Sequence, residues 1–136
     1  MATRASIKIS DCDGRFVANI YHHYGGYPEA LGARLIEICD SGKIVNGLTL
    51  APGKKFNGFS DLACSIVFEL KESSGDGRVY LNTEDDFGHC GEDYLYEIVE
   101  NPNDGAPLIL VMNPFKGHND PEPELVSDVL ERVSNV

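Results

Sequence analysis

Apolar and polar residues alternate strictly at the start of the chain. Ala5, Ile7 and Ile9 are separated by Ser6, Lys8 and Ser10, the period of a strand with one buried face. Asp11-Cys12-Asp13-Gly14 then supplies turn residues, with Asp13-Gly14 a strong short-range hairpin signal. Arg15 to Tyr21 returns as a second strand, placing Phe16, Ala18 and Ile20 on one face and Val17, Asn19 and Tyr21 on the other. The pattern predicts an antiparallel hairpin. Asp-x-Asp-Gly also matches the opening of a calcium loop, but the rest of that pattern, including its bidentate Glu, is missing, so a turn is the reading.

The period then changes from two to the helical spacing, and the change falls in Ile20 to Gly42. Pro28 suits a first helical position, Glu29 complements the positive end of the helix dipole, and Leu31, Leu35, Ile38 and Cys39 recur on one face. Gly42 is the natural stop. Gly32, inside the run, costs about 1 kcal/mol against alanine and implies close approach by a packed neighbour or by a ligand. Lys43 to Asn57 reads as a connection. Within it, Gly47 to Lys55 fails as a phosphate loop, because the glycine spacing is wrong and Lys55 stands where Ser or Thr is required. Phe59, Leu62, Ala63, Ile66, Val67 and Leu70 form the cleanest helical stripe; Lys54 and Lys55 before it could attract an anion to that helix start, but a solvated loop is the preferred reading.

Gly75-Asp76-Gly77 reads as a turn, Arg78 to Asn82 as a short strand, Thr83 to Glu92 as a loop and Asp93 to Glu100 as a strand. Leu108 to Met112 is wholly apolar, as in a strand buried on both faces. Glu124 to Val133 closes the chain as a helix with Leu125, Val129 and Val133 inward. The order ββααβββα predicts a single α+β domain over residues 1–136, an antiparallel sheet of five strands with helices on one face. The other face needs a cover. Tyr21, Tyr94 and Tyr96 are expected on it, and a homo-oligomer would bury it.

Charge narrows the partners. The chain carries net −11, but residues 1–68 hold seven Lys/Arg against six Asp/Glu, whereas residues 69–136 hold four against sixteen. Phosphate backbones need clustered Lys/Arg, so nucleic acid is excluded as a partner, while a basic protein or a divalent cation is permitted. No apolar run approaches the ~18 residues needed to span a membrane, and no signal-peptide core is visible, so the cytoplasm is the expected compartment. Cys12, Cys39, Cys64 and Cys90 lie far apart with no C-x-x-C pair; Cys39 and Cys64 are expected in the core as reduced thiols.

The opening Met1-Ala2-Thr3-Arg4-Ala5, followed by strand, Asp-Gly turn, strand and Tyr21-x-x-Tyr24-Gly-Gly-Tyr27-Pro28, resembles a family of small uncharacterised proteins encoded by phages and bacteria. Members of that family begin Met-Gly-Thr-Arg-Ser and carry an aromatic-Asp-Gly-Tyr-Pro segment before the first helix. Here Ala2, Ala5 and Gly25 replace the Gly, Ser and Asp, so any role of that Asp side chain is absent. The resemblance covers about the first 40 residues, with a weaker echo in Tyr94 to Ile98. It implies a fold and a phage-like origin, and no activity.

Two stretches gather reactive groups. The junction holds Tyr21, His22, His23, Tyr24, Gly25, Gly26 and Tyr27, followed by Gly32; the second is the 83–92 loop. Adjacent residues of a strand point to opposite faces, so only one of His22 and His23 can serve a given site. Should it meet Asp85, Asp86, His89 and Cys90, a divalent transition metal would have imidazole, thiolate and carboxylate ligands, and a metal-assisted hydrolase becomes the alternative function. Cys90 with a histidine base is a further catalytic candidate, while Ser-elbow and dinucleotide motifs are absent. The leading expectation is a small binding or accessory protein rather than an enzyme. It would act through a surface or pocket at Tyr21–Tyr27, on a host protein or a small-molecule ligand.

Overall fold

A computed structural model describes residues 2–47, 52–74, 78–114 and 122–134 of the chain. The hairpin forms as expected from β1 (Ala5–Ser10) and β2 (Phe16–His22), with Ile7 opposite Ile20. Its turn is closed by Asp11, whose Oδ1 accepts the N–H groups of Asp13 and Arg15 at 2.9 Å each, and by Gly14 at φ +78°. The Asp-x-Asp-Gly stretch therefore spends its first carboxylate on its own backbone, the Asx-turn use of aspartate.

A π-helical turn at Pro28–Gly32 leads into α1 (Ala33–Asp40), which ends at Ser41. Gly42 serves a different purpose from the left-handed stop that the pattern suggests. A Cβ there would stand 3.0 Å from the Lys54 carbonyl oxygen, so the glycine lets two strands approach. These are β3 (Lys43–Val45) and β4 (Lys55–Asn57), a parallel pair inside what reads in sequence as plain connection. Lys54 lies over the Phe56 ring and Lys55 Nζ donates to the carbonyls of Pro52 and Gly53, which turns both lysines away from an anion role. Next, α2 (Gly58–Ser74) buries Phe59, Leu62, Ala63, Ile66 and Leu70 as the stripe requires, but Cys64 is exposed on its outer side. The Gly75-Asp76-Gly77 turn lies outside the described residues.

The remaining strands are β5 (Val79–Asn82), β6 (Tyr94–Glu100), β7 (Pro107–Met112) and β8 (Glu124–Leu125), and α3 (Val126–Ser134) follows. The main sheet has six strands in the order β5-β2-β1-β6-β7-β8, and β1 runs parallel to β6, so it is mixed rather than antiparallel. The fold is thus α+β in one domain, with all three helices on one face of the sheet. Ile7, Ile9, Ile20, Tyr96 and Ile98 from the sheet meet Leu35, Leu62 and Ile66 from the helices, all fully buried. Each aliphatic side chain among them contributes ~1.5–3 kcal/mol of transfer free energy.

Register corrects the tyrosines. Ala5 pairs with Tyr94 and Ile7 with Tyr96, so both tyrosines share the helix-covered face, and the Tyr96 hydroxyl donates to the Gly26 carbonyl at 2.7 Å. Only Tyr21 is on the opposite face. In α3 the inner face is Val126, Val129 and Leu130; Val133 is exposed, and Leu125 belongs to β8, where it pairs with Leu110. No helix among the described residues is long and apolar enough to cross a membrane.

The second face gains its own cover. Because β5 and β6 run the same way with β2 and β1 between them, residues 83–93 must cross that face. The crossover is pinned by Glu92, only 2 % exposed, which accepts the Ser6 hydroxyl at 2.7 Å and the N–H groups of Gly88 at 2.8 Å and Cys90 at 2.6 Å. Asn19 adds a bond from Nδ2 to the Thr83 carbonyl.

Candidate functional site

The junction does not close into one pocket; the fold deals its residues to three places. His22, on the helix side of the sheet, is buried, and its Nδ1 has no hydrogen-bond partner among the described residues. Burial pushes its pKa below the usual imidazole value, with His23 adding a smaller effect of the same sign against a contact with the Tyr24 backbone. Gly26 and Gly32 are packing glycines. A Cβ on the first would stand 2.9 Å from Ala5 Cβ, and on the second 2.8 Å from Val126 Cγ1, so the close neighbour at Gly32 is α3. Tyr27, half exposed, meets Tyr94 edge-on at 6.1 Å, and Tyr94 lines a groove of about 240 Å³ bordered by Glu29 and Arg132.

The third place is the open side of β2 and β5. Tyr21 Oη lies 2.8 Å from His23 Nδ1; the His23 ring meets the Tyr24 ring edge-on at 4.6 Å; and the Arg78 guanidinium sits over Tyr24 at 4.6 Å. Tyr80 flanks Tyr21 at 6.0 Å. Gly25 follows at φ +65°, a left-handed backbone conformation that glycine adopts without strain. Alternation along β2 places this row: residues 21 and 23 share a face, and the ladder brings residues 80 and 78 opposite them. Burial raises the Tyr21 pKa, while Arg4 acts in the opposite sense from the other side. Arg34 and Arg132 are ion-paired, whereas neither Arg4 nor Arg78 has a salt bridge among the described residues.

The crossover does reach this surface. Cys90 takes a contact from Asn82 Nδ2 at 3.7 Å, and its own thiol points at the Asp86 carbonyl at 3.5 Å. The convergence does not make a metal centre. His22 faces away from His23, Asp86 caps its own turn by accepting from the Thr83 hydroxyl and N–H, and Asp85 and His89 are exposed on the crossover. Among the described residues no three His, Cys, Asp or Glu side chains come together as a metal site. Burial raises the Cys90 pKa, with Glu92 and Asp86 acting in the same sense, which is opposite to what a thiolate nucleophile requires.

Two wider clefts, of about 420 and 410 Å³, open at the far end of the sheet around Asp11, Glu100 and Asp104 and around Lys43, Ile44 and Pro107. Neither is lined by a residue of Tyr21–Tyr27. Sequence reasoning missed Arg4, Arg78 and Tyr80 as members of the open surface, and missed Leu81, which pairs with Ile20 on the other face of β5, as an exposed residue of the edge. The available signal was the strand Val79–Asn82 itself, whose Tyr80 and Leu81 are large on both faces of a short element. Comparison of the chain with protein-family models, with curated proteins and with solved structures finds no match.

Proposed function

We propose that this is a non-catalytic binding protein whose contact surface is the row Arg78–Tyr24–His23–Tyr21 together with Tyr80 and Leu81 on β5. One observation carries the reading. Three of the six exposed large hydrophobics of the described residues, Tyr24, Tyr80 and Leu81, gather on and beside one edge strand, next to an arginine that has no salt bridge among the described residues. Tyrosine and arginine are the side chains that most often anchor protein contacts, since they bring large area at low entropic cost. The surface is a ledge rather than a cleft, which favours a protein over a small molecule as its partner. Its cationic end stands out on a chain of net −11. The four free thiols support a cytoplasmic location, and the phage-like opening supports a role beside host proteins.

The test is zero-length and amine-reactive cross-linking of the tagged chain in extract of cells that make it. Species linked through this surface, whether to the chain itself or to another protein, should disappear in Tyr24→Ala/Arg78→Ala and persist in Phe68→Ala, which removes an equally exposed side chain from α2. An unchanged pattern in the folded double variant would refute the surface.

A further inference from the structure

Three clefts run end to end from the far end of the sheet toward β8. The first and second, of about 420 and 410 Å³, have Ile44, Asp104 and Gly105 in common; the second and third, the latter of about 200 Å³, have Asp40 and Pro107 in common. β3 presents a free edge to this groove. The Lys43 N–H bonds to the Lys54 carbonyl, and alternate residues of a parallel pair turn their main chain to the partner, so Lys43 and Val45 face β4 while Ile44 turns its N–H and C=O away from it. Neither group has a backbone partner among the described residues. Gly105 lines the same two clefts from the β6–β7 connection, and a Cβ on it would meet nothing within 4 Å, so that wall stands clear.

Carboxylates rim the groove. Asp11, Glu100 and Asp104 border the first cleft and Asp40 the second, and none of the four has a salt bridge among the described residues; Lys43 is the one cation among the lining residues. Two of these acids are held in place by their own turns. Oδ1 of Asp11 accepts the N–H groups of Asp13 and Arg15, and Oδ1 of Asp104 accepts that of Ala106 at 2.9 Å, which leaves each Oδ2 for another donor. The Cys12 thiol at the mouth has its pKa raised, by Asp13 first and by Glu100 and Asp11 in the same sense, as uncompensated negative charge requires. The start of α2 borders the first cleft too, but its own Asp61 already takes the Asn57 N–H at 2.8 Å. At the other end the groove reaches Leu125 of β8, the second edge of the main sheet, which is two residues long and whose Glu124 is held by Arg132 at 2.9 Å.

We propose that this groove takes an extended basic segment of a partner protein, which adds to β3 through the Ile44 main chain and lays Lys or Arg side chains on Asp11, Glu100 and Asp104. Strand addition accounts for the free main chain of Ile44, and charge complementarity names the occupant. A second copy of this chain, at net −11, has the wrong sign for it. The carboxylates of Asp40 and Asp104 are exposed, so the contact weakens with salt. The groove shares no residue with the surface around Tyr24 and Arg78, and neither assignment depends on the other.

Fluorescence anisotropy of a labelled Lys-Val-Arg-Val-Lys-Val peptide with the full chain at low salt, together with amide NMR of the same mixture, tests it. The wild type should bind saturably, with the largest amide shifts at Ile44 and Gly105. Asp11→Asn/Glu100→Gln/Asp104→Asn, which keeps both Oδ1 acceptors of the turns, should bind at least about tenfold more weakly. Asp85→Asn/Glu97→Gln/Glu131→Gln, which reaches the same net charge away from the groove, should change the affinity less than about twofold. No saturable binding up to about 1 mM, largest shifts elsewhere, or an equal loss in both triple variants overturns the proposal. Spermine, a cation with no main chain, should displace the peptide poorly; displacement at equal charge concentration also overturns it, because the groove would then read charge alone. Tyr24→Ala/Arg78→Ala should keep the wild-type shifts, and a peptide lost from that variant sits on the other surface and overturns this one. If a triple variant does not fold by circular dichroism, the wild-type shifts and the spermine competition decide.

Discussion

Glu92 shows how much one side chain can decide. Its carboxylate ties the crossover to β1 through Ser6, beside a longer 3.6 Å contact of Glu84 with Lys8, and takes three donors in a site almost sealed from water. Hydrogen bonds to a charged group contribute ~1.5–3 kcal/mol each, and losing the acceptor strands the buried donors. Glu92→Ala is therefore expected to lower stability by about 3 kcal/mol or more in urea titration, while Glu97→Ala, on the same face but less buried, should change it by under ~0.5 kcal/mol. His22 makes the stability depend on pH. Its folded pKa lies below the unfolded value of 6.5, so between the two the unfolded chain binds more protons. Its contribution is complete above pH 6.5 and is lost as the pH falls below it, with a slope no steeper than about 1.4 kcal/mol per pH unit. Replacing it by leucine should flatten the thermal-stability profile below about pH 6.5, where the unfolded chain binds the extra proton. An unchanged slope would place the pH dependence elsewhere.

At the scale of elements, local periodicity was a sound guide and tertiary contact was not. The β1–β2 hairpin, α2 and β7 are legible because alternation, a heptad-like stripe and an apolar run each have a single good solution. β3 and β4 are three residues each and pair across nine intervening residues, too short for any period to show. Ser6 and Asn19 read as solvent-facing polar positions, yet both are fully buried because the crossover lies on them. Their burial depends on a connection whose path is set by distant contacts, not by its own composition. Gly32 was legible as a close approach, though not its neighbour. Gly32→Ala gains about 1 kcal/mol in helix propensity but places a methyl 2.8 Å from Val126 Cγ1, and overpacking at such a site costs ~1–3 kcal/mol. The variant should be less stable than wild type by thermal melting; a rise in Tm would show that α3 shifts freely.

For the whole molecule, the decisive feature is an asymmetry between the two edges of one sheet. Covering its second face does not require an oligomer in the β1–β2 half, because residues 83–93 already do so. What remains bare is the β5 edge, with Leu81 outward, Tyr80 and Tyr24 exposed, and Arg78 beside them. Of the junction chosen from sequence, Tyr21, His23 and Tyr24 lie together on the open side of β2, whereas His22, Gly26 and Gly32 serve the interior. Amide hydrogen exchange followed by NMR examines this edge at the Leu81 N–H, which the β2–β5 ladder turns outward. A bare edge predicts exchange at Leu81 at least about tenfold faster than at Tyr80 and Asn82, whose main chain is turned toward β2. A Leu81 amide protected as well as theirs would contradict the account.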